Sequence, residues 1–89
     1  MDMIELLGKK WVLPLLLAIY KNPGASKTDI TGKANDRTKY LRLDELIEHK
    51  LVWLDDKTYE YNVKKVFLTP KGQMVAKLIN DLSEIPLED

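Results

Sequence analysis

Ten consecutive residues, Trp11 to Tyr20, are apolar except for Pro14. That run is about half of the roughly 20 residues needed to cross a bilayer, so it reads as an interior element and not as a membrane span. A helix that is apolar on every side has no face to offer to water and belongs at the centre of the domain. Pro14 limits where that helix starts. Proline is tolerated in a first turn, where its missing N–H has no partner to lose, so the regular helix is expected to begin between Lys10 and Leu13.

With 89 residues there is material for one core, and residues 1–89 are expected to form one domain around that helix. There is no cysteine, so disulfides and thiolate chemistry are excluded and stability must come from packing. The opening Met1-Asp2-Met3-Ile4-Glu5 is acidic and unlike the basic start of a secretory signal, so a cytoplasmic location is expected by default. Fourteen basic residues balance fourteen acidic ones, and the global charge therefore attracts no polyanion. The distribution is uneven, however. Between Lys33 and Arg42 stand Lys33, Arg37, Lys39 and Arg42 against Asp36 alone, whereas Asn80 to Asp89 holds acidic residues and no basic one.

Punctuation residues set the remaining elements. Asn22-Pro23-Gly24 ends the central helix, Ser26 caps a short second helix from Lys27 to about Thr31, and Gly32 stops it. After Gly32-Lys33-Ala34, Asn35 can cap a third helix from Asp36 to about His49. Two helices joined by a short glycine turn form a helix-turn-helix pattern. Leu51-Val52-Trp53-Leu54 and Tyr59 to Leu68 read as the two strands of a hairpin. Thr69 or Pro70 then opens a last helix, with Met74, Val75, Leu78, Ile79 and Leu82, extending to Ile85, recurring at spacings of three and four.

The order of three helices, hairpin and helix resembles the winged-helix regulators of the HxlR and MarR type. Leu7-Gly8-Lys9-Lys10-Trp11 is similar to the entry to their first helix. The run from Leu43 to Val52 is similar to the end of a recognition helix entering the first wing strand, and Phe67-Leu68-Thr69-Pro70-Lys71-Gly72 to the passage from wing to final helix. The likeness covers roughly residues 6 to 80. It implies an α+β, mostly helical winged helix-turn-helix, with a three-helix core, a two-stranded wing and a C-terminal helix. Such a chain is expected to bind double-stranded DNA as a homodimeric transcriptional regulator, with no cofactor. Three positions depart from the pattern. Lys50 stands where a glycine usually ends the helix, which implies a different helix exit; Lys39 occupies an aliphatic core position; and Asp55 and Asp56 replace basic residues at the wing tip.

Placing residues 36 to 50 at 100° intervals puts Tyr40, Leu43, Leu46 and Ile47 on a core face and Arg37, Thr38, Leu41 and Arg42 on the other. A recognition helix enters the major groove by its N-terminal half, where these residues lie. Arg37 can pair with guanine O6 and N7, and Leu41 can meet a thymine methyl. Lys27, Lys33 and Arg42 suit phosphate contacts, with Thr28, Asn35 and Thr38 as neutral donors and Lys57 as a candidate from the wing. The competing reading is a solvated face whose charges pair locally, Arg42 with Glu45 and Glu48.

The apolar stripe of the last helix is wider than packing on so small a domain requires. With the N-terminal apolar residues it suggests an isologous dimer through Ile4, Leu7, Val75, Leu78, Ile79 and Leu82; the alternative is that both ends close over the one core. The sole histidine, His49, reads as a helix-end dipole partner. There is no nucleophile motif, phosphate loop or metal-ligand cluster, and no enzymatic activity is expected. The second function class is a winged-helix protein-interaction module, for which neutral charge and an acidic wing are no handicap.

Overall fold

The computed structural model describes residues 1–32, 37–55 and 64–88. Its elements are α1 (Met3–Leu7), α2 (Val12–Lys21), α3 (Lys27–Thr31), α4 (Arg37–Glu48), β1 (Val52–Asp55), β2 (Lys65–Leu68) and α5 (Pro70–Ser83). The expected helices, wing strands and final helix are all present. The helix α1 was not anticipated. Its cap is Asp2, whose carboxylate accepts from the Glu5 amide at 2.9 Å, the arrangement that holds a first turn together.

The all-round apolar α2 is the hub of the molecule and packs against α1, α3, α4, α5 and β2. Leu16 and Ile19 are fully enclosed there with Leu43 and Leu46 of α4, Leu51, Val52 of β1, Val66 of β2 and Ala76 of α5. Each such side chain removed from water contributes about 1.5–3 kcal/mol. Trp11, immediately before α2, takes a left-handed backbone with φ 75° and gives no side-chain cap. Pro14 falls within the first turn, where a missing N–H costs nothing.

Two caps match the residues expected to make them. The Ser26 hydroxyl accepts from Asp29 N–H at 3.0 Å, and Thr69 does the same for Gly72 at 3.0 Å with Pro70 opening α5. Gly32 leaves α3 at φ 80°. The expected cap Asn35 and the expected first helical residue Asp36 lie outside the described residues, as do Lys33, Lys57 and the Tyr59–Val63 part of the second strand.

The exit from α4 corrects the expectation drawn from Lys50. This lysine adopts the left-handed conformation itself, with φ 63°. The Leu51 amide bonds back to the Leu46 carbonyl at 2.9 Å and the Lys50 amide to Ile47 at 3.0 Å, which is the paired closure that glycine ordinarily permits at a helix end. Leu46 and Leu51, both completely buried, supply the accompanying apolar contact. Tertiary packing overrides the residue's own preference.

The strands β1 and β2 are antiparallel, with Val52 opposite Leu68, Trp53 opposite Phe67, Leu54 opposite Val66 and Asp55 opposite Lys65. Alternation sends Val52 and Val66 into the core and leaves Trp53 and Phe67 outside, stacked with ring centroids 4.7 Å apart. A third segment joins this sheet that the sequence did not announce. Gly24 N–H donates to Val66 at 2.9 Å, Val66 N–H to Ala25 at 2.9 Å and Lys27 N–H to Lys64 at 2.9 Å, with Ser26 bridged to Lys65.

Candidate nucleic-acid interface

Turning α4 about its axis by 100° per residue places Arg37, Leu41, Asp44 and Glu48 within one narrow outward sector, and all four are exposed. Leu41 is 58% exposed. Tyr40, expected on the core face, is instead 37% exposed. Its neighbours explain this: Leu43 and Leu46 centre the buried face, and Tyr40 falls at its rim. Arg37, Tyr40 and Leu41 line an open concavity of about 400 Å³ at the N-terminal end of α4, the positive pole of the helix dipole.

The basic residues of this region do not all remain available. Arg42 donates from Nε to the Lys10 carbonyl at 3.2 Å and from a terminal nitrogen to Glu45 at 2.5 Å. The other Glu45 oxygen receives Lys9 Nζ at 2.8 Å. The Lys9 hydrogen bond, with Arg42 behind it, holds the Glu45 carboxyl below its ordinary pKa against an opposing effect of burial. This corrects the assignment of Arg42 as an open phosphate anchor; the local-pairing reading describes it. Lys27 lies 3.9 Å from Asp44 and 5.7 Å above the Tyr40 ring, so it too is engaged within the chain. Lys39 sends its amine over the Trp11 ring at 4.4 Å, a cation–π contact that explains how a lysine occupies an aliphatic position. Among the described residues the buried Trp11 indole N–H has no hydrogen-bond partner.

Thr28 is exposed in the first turn of α3, Arg37 is exposed at the start of α4, and Thr38 is half-buried beside it. Thr28, Arg37 and Leu41 are exposed on the helix-turn-helix, whereas Lys27 and Arg42 are half-buried and paired with carboxylates of the same chain. Sequence reasoning passed over Asp44, whose place on the same sector as Leu41 was readable from the helical period. Neither Lys9 nor Lys27 could be paired with its carboxylate from spacing, since both contacts join different elements.

The residues expected at a dimer contact divide. Ile79 is 6% exposed and belongs to the core, which corrects its assignment to an interface. Leu7 and Val75 are half-buried against that core. Ile4, Leu78 and Leu82 are 77%, 61% and 66% exposed, with Met74 at 67% beside them. His49 lines a small cavity with Met1, Met3 and Lys71, and its carbonyl accepts from Lys71 at 3.3 Å. Among the described residues no three acidic or histidine side chains are grouped to hold a metal ion, and no described helix is long and apolar enough to cross a membrane.

No family model matches the chain, and no curated protein matches it in sequence. Solved structures match its fold. AF1382 of Archaeoglobus fulgidus superposes with a TM-score of 0.72 at 28% identity, over 99% of this chain and 100% of its own. A MarR protein of Peptoclostridium difficile superposes at 0.74 with 22% identity, over 90% of this chain and 54% of its own. FabT of Streptococcus pneumoniae, solved in complex with DNA, superposes at 0.72 with 16% identity, over 91% of this chain and 62% of its own. A SlyA regulator and a possible HxlR-family factor share the same architecture. The chain therefore has the winged-helix fold of these transcriptional regulators, and it spans little more than half the length of the MarR protein.

Proposed function

We propose that this chain is a sequence-specific, double-stranded-DNA-binding transcriptional regulator that acts as a homodimer, with the N-terminal half of α4 in the major groove. The observation that carries this reading is the uncovered tip of α4. Arg37, Tyr40 and Leu41 surround an open concavity at the positive end of a helix, on a fold otherwise found in transcriptional regulators, one of them solved with DNA. A guanidinium and a bare leucine side by side suit a guanine edge and a thymine methyl. Thr28, Thr38, Asn35, Lys33 and, from the wing, Lys57 complete the proposed contact set as phosphate donors.

The dimer rests on Ile4, Leu78 and Leu82, with Leu7 and Val75 at its margin. Ile4 on α1 and Leu78 and Leu82 on α5 are exposed apolar side chains of the kind that a second copy covers. Such a pair would carry two reading helices about one DNA turn, roughly 34 Å, apart. The internal pairing of Arg42 and Lys27 favours one other reading, a protein-interaction module with no direct DNA contact.

Gel mobility on a mixed duplex pool separates the two. A phosphate-binding protein must retard duplex at low salt and lose affinity as salt rises. Arg37→Ala is then expected to weaken selected sites by about 1–3 kcal/mol while leaving random duplex nearly unchanged. No retardation at low salt would leave the interaction module standing.

A further inference from the structure

The DNA-binding reading does not absorb the two exposed carboxylates on the outward sector of α4, and of these Asp44 lies one turn nearer the N-terminal half than Glu48. A carboxylate on a groove-facing helix repels phosphate, so a helix that only had to attract DNA would gain by losing it. Yet the Asp44 side chain is 63% exposed, on the same outward sector as Arg37 and Leu41. Its one counter-ion among the described residues is Lys27 of the preceding helix, 3.9 Å away. Lys27 is itself steadied over the Tyr40 ring at 5.7 Å, so the carboxylate is approached from one side and open on the other.

The spacing is the second observation. Homeodomains read bases from four positions of one helix at i, i+3, i+4 and i+7. Arg37, Tyr40, Leu41 and Asp44 have that spacing, and all four are exposed. At 1.5 Å per residue, Arg37 and Asp44 stand about 10 Å apart along the axis, which is about three base-pair steps of 3.4 Å. The reach of the major groove thus extends to Asp44. A carboxylate only accepts hydrogen bonds, and in the major groove the exocyclic N4 amine of cytosine presents a donor with no acceptor beside it.

Resting on the regulator reading, we propose that Asp44 is a specificity-determining residue that accepts from the N4 amine of a cytosine, about three base pairs from the guanine contacted by Arg37. Lys27 is its positioning partner: by neutralising the carboxylate it lets Asp44 enter the groove without the repulsion that a bare charge would meet. The contact selects more than it strengthens: guanine offers only acceptors, thymine an acceptor and a methyl group, and adenine sets its N7 acceptor beside its N6 donor.

The test is selection of bound duplexes from a random pool by the full chain and by its Asp44→Ala and Asp44→Asn variants, followed by titration of the selected duplex and its single-base changes. Circular dichroism checks that both variants keep the fold. The wild type should enrich cytosine at one position, with a preference between about fivefold and a hundredfold. Asp44→Ala should abolish that preference and no other, and Asp44→Asn should move it to adenine, whose N6 and N7 an amide matches. Tighter binding of both variants to every duplex, with base preferences unchanged, would overturn the assignment and leave the regulator reading intact. A wild type that retains no duplex overturns both.

Discussion

Gly72 sits in the first turn of α5 directly beneath the chain leaving α4. A methyl group there would overlap the Leu51 carbonyl oxygen outright and lie 2.8 Å from its carbon and 3.2 Å from Leu51 Cα. Ordinary contact begins at 3.4 Å and the oxygen would lie at 1.9 Å, so α5 and the chain at Leu51 would have to separate by more than an ångström. Neither is free to move. Leu51 N–H is bonded to Leu46 and its carbonyl receives Thr69 N–H at 3.0 Å, while the Thr69 hydroxyl donates to the Lys50 carbonyl at 2.5 Å. Overpacking a closed site costs about 1–3 kcal/mol and sometimes more. Here the obstacle is backbone held by three hydrogen bonds, so the upper end applies, offset by up to about 1 kcal/mol that alanine gains over glycine within a helix. Gly72→Ala should therefore lose about 2 kcal/mol net, and at roughly 5 °C per kcal/mol for this size the melting temperature should fall by roughly 10 °C. Thermal unfolding followed by circular dichroism measures it. An unchanged or higher Tm, as helix propensity alone demands, would refute the packing argument.

Lys50→Gly should do the opposite, since a left-handed lysine costs about 1–2 kcal/mol and glycine returns roughly half of that through its freer unfolded chain. A gain of about 0.5–1 kcal/mol in urea unfolding is expected, and a loss would mean that the lysine stem makes a contact of its own. Glu45→Gln should cost about 0.5–1 kcal/mol at pH 7, the modest value of partly exposed ion pairs. Because Glu45 titrates below its ordinary 4.5, its contribution is fully present above that pH and fades as pH falls through the lowered value; the gap between wild type and variant should therefore narrow on acidification below pH 4.5, and a gap that widens there would contradict the ion-pair account. Leu78→Glu, at a 61% exposed position, should leave Tm nearly unchanged yet halve the mass seen by sedimentation. A wild type already monomeric at micromolar concentration would remove the basis for that expectation.

The parts of the molecule that local chemistry dictates were readable in advance. An apolar run with no polar side can only be central, and α2 is; Ser26, Gly32, Thr69 and Pro70 act where their side chains and backbones require. The short α1 carried a usable sign that went unread, an aspartate three residues before a glutamate at Asp2 and Glu5. What was not readable depends on contacts across the chain. Lysine at position 50 says nothing of a left-handed backbone, which packing of Leu46 against Leu51 imposes. A helical wheel puts Arg42 on the side of α4, but only the arrival of Lys9 and the Lys10 carbonyl decides that it turns inward. The exposed face of α4 was thus legible in its outline, and the partners of its charges that come from other elements were not.

The hydrogen bonds between residues 24–27 and β2 bear on how this surface meets an irregular partner. They fasten the leading helix of the helix-turn-helix to the hairpin, and the Lys50 closure fastens its second helix to the hairpin's other strand, so the three pieces travel as a block. Under the proposed DNA-binding reading, accommodation to a curved or narrowed duplex would then fall to the nucleic acid and not to a change of shape in the helix-turn-helix.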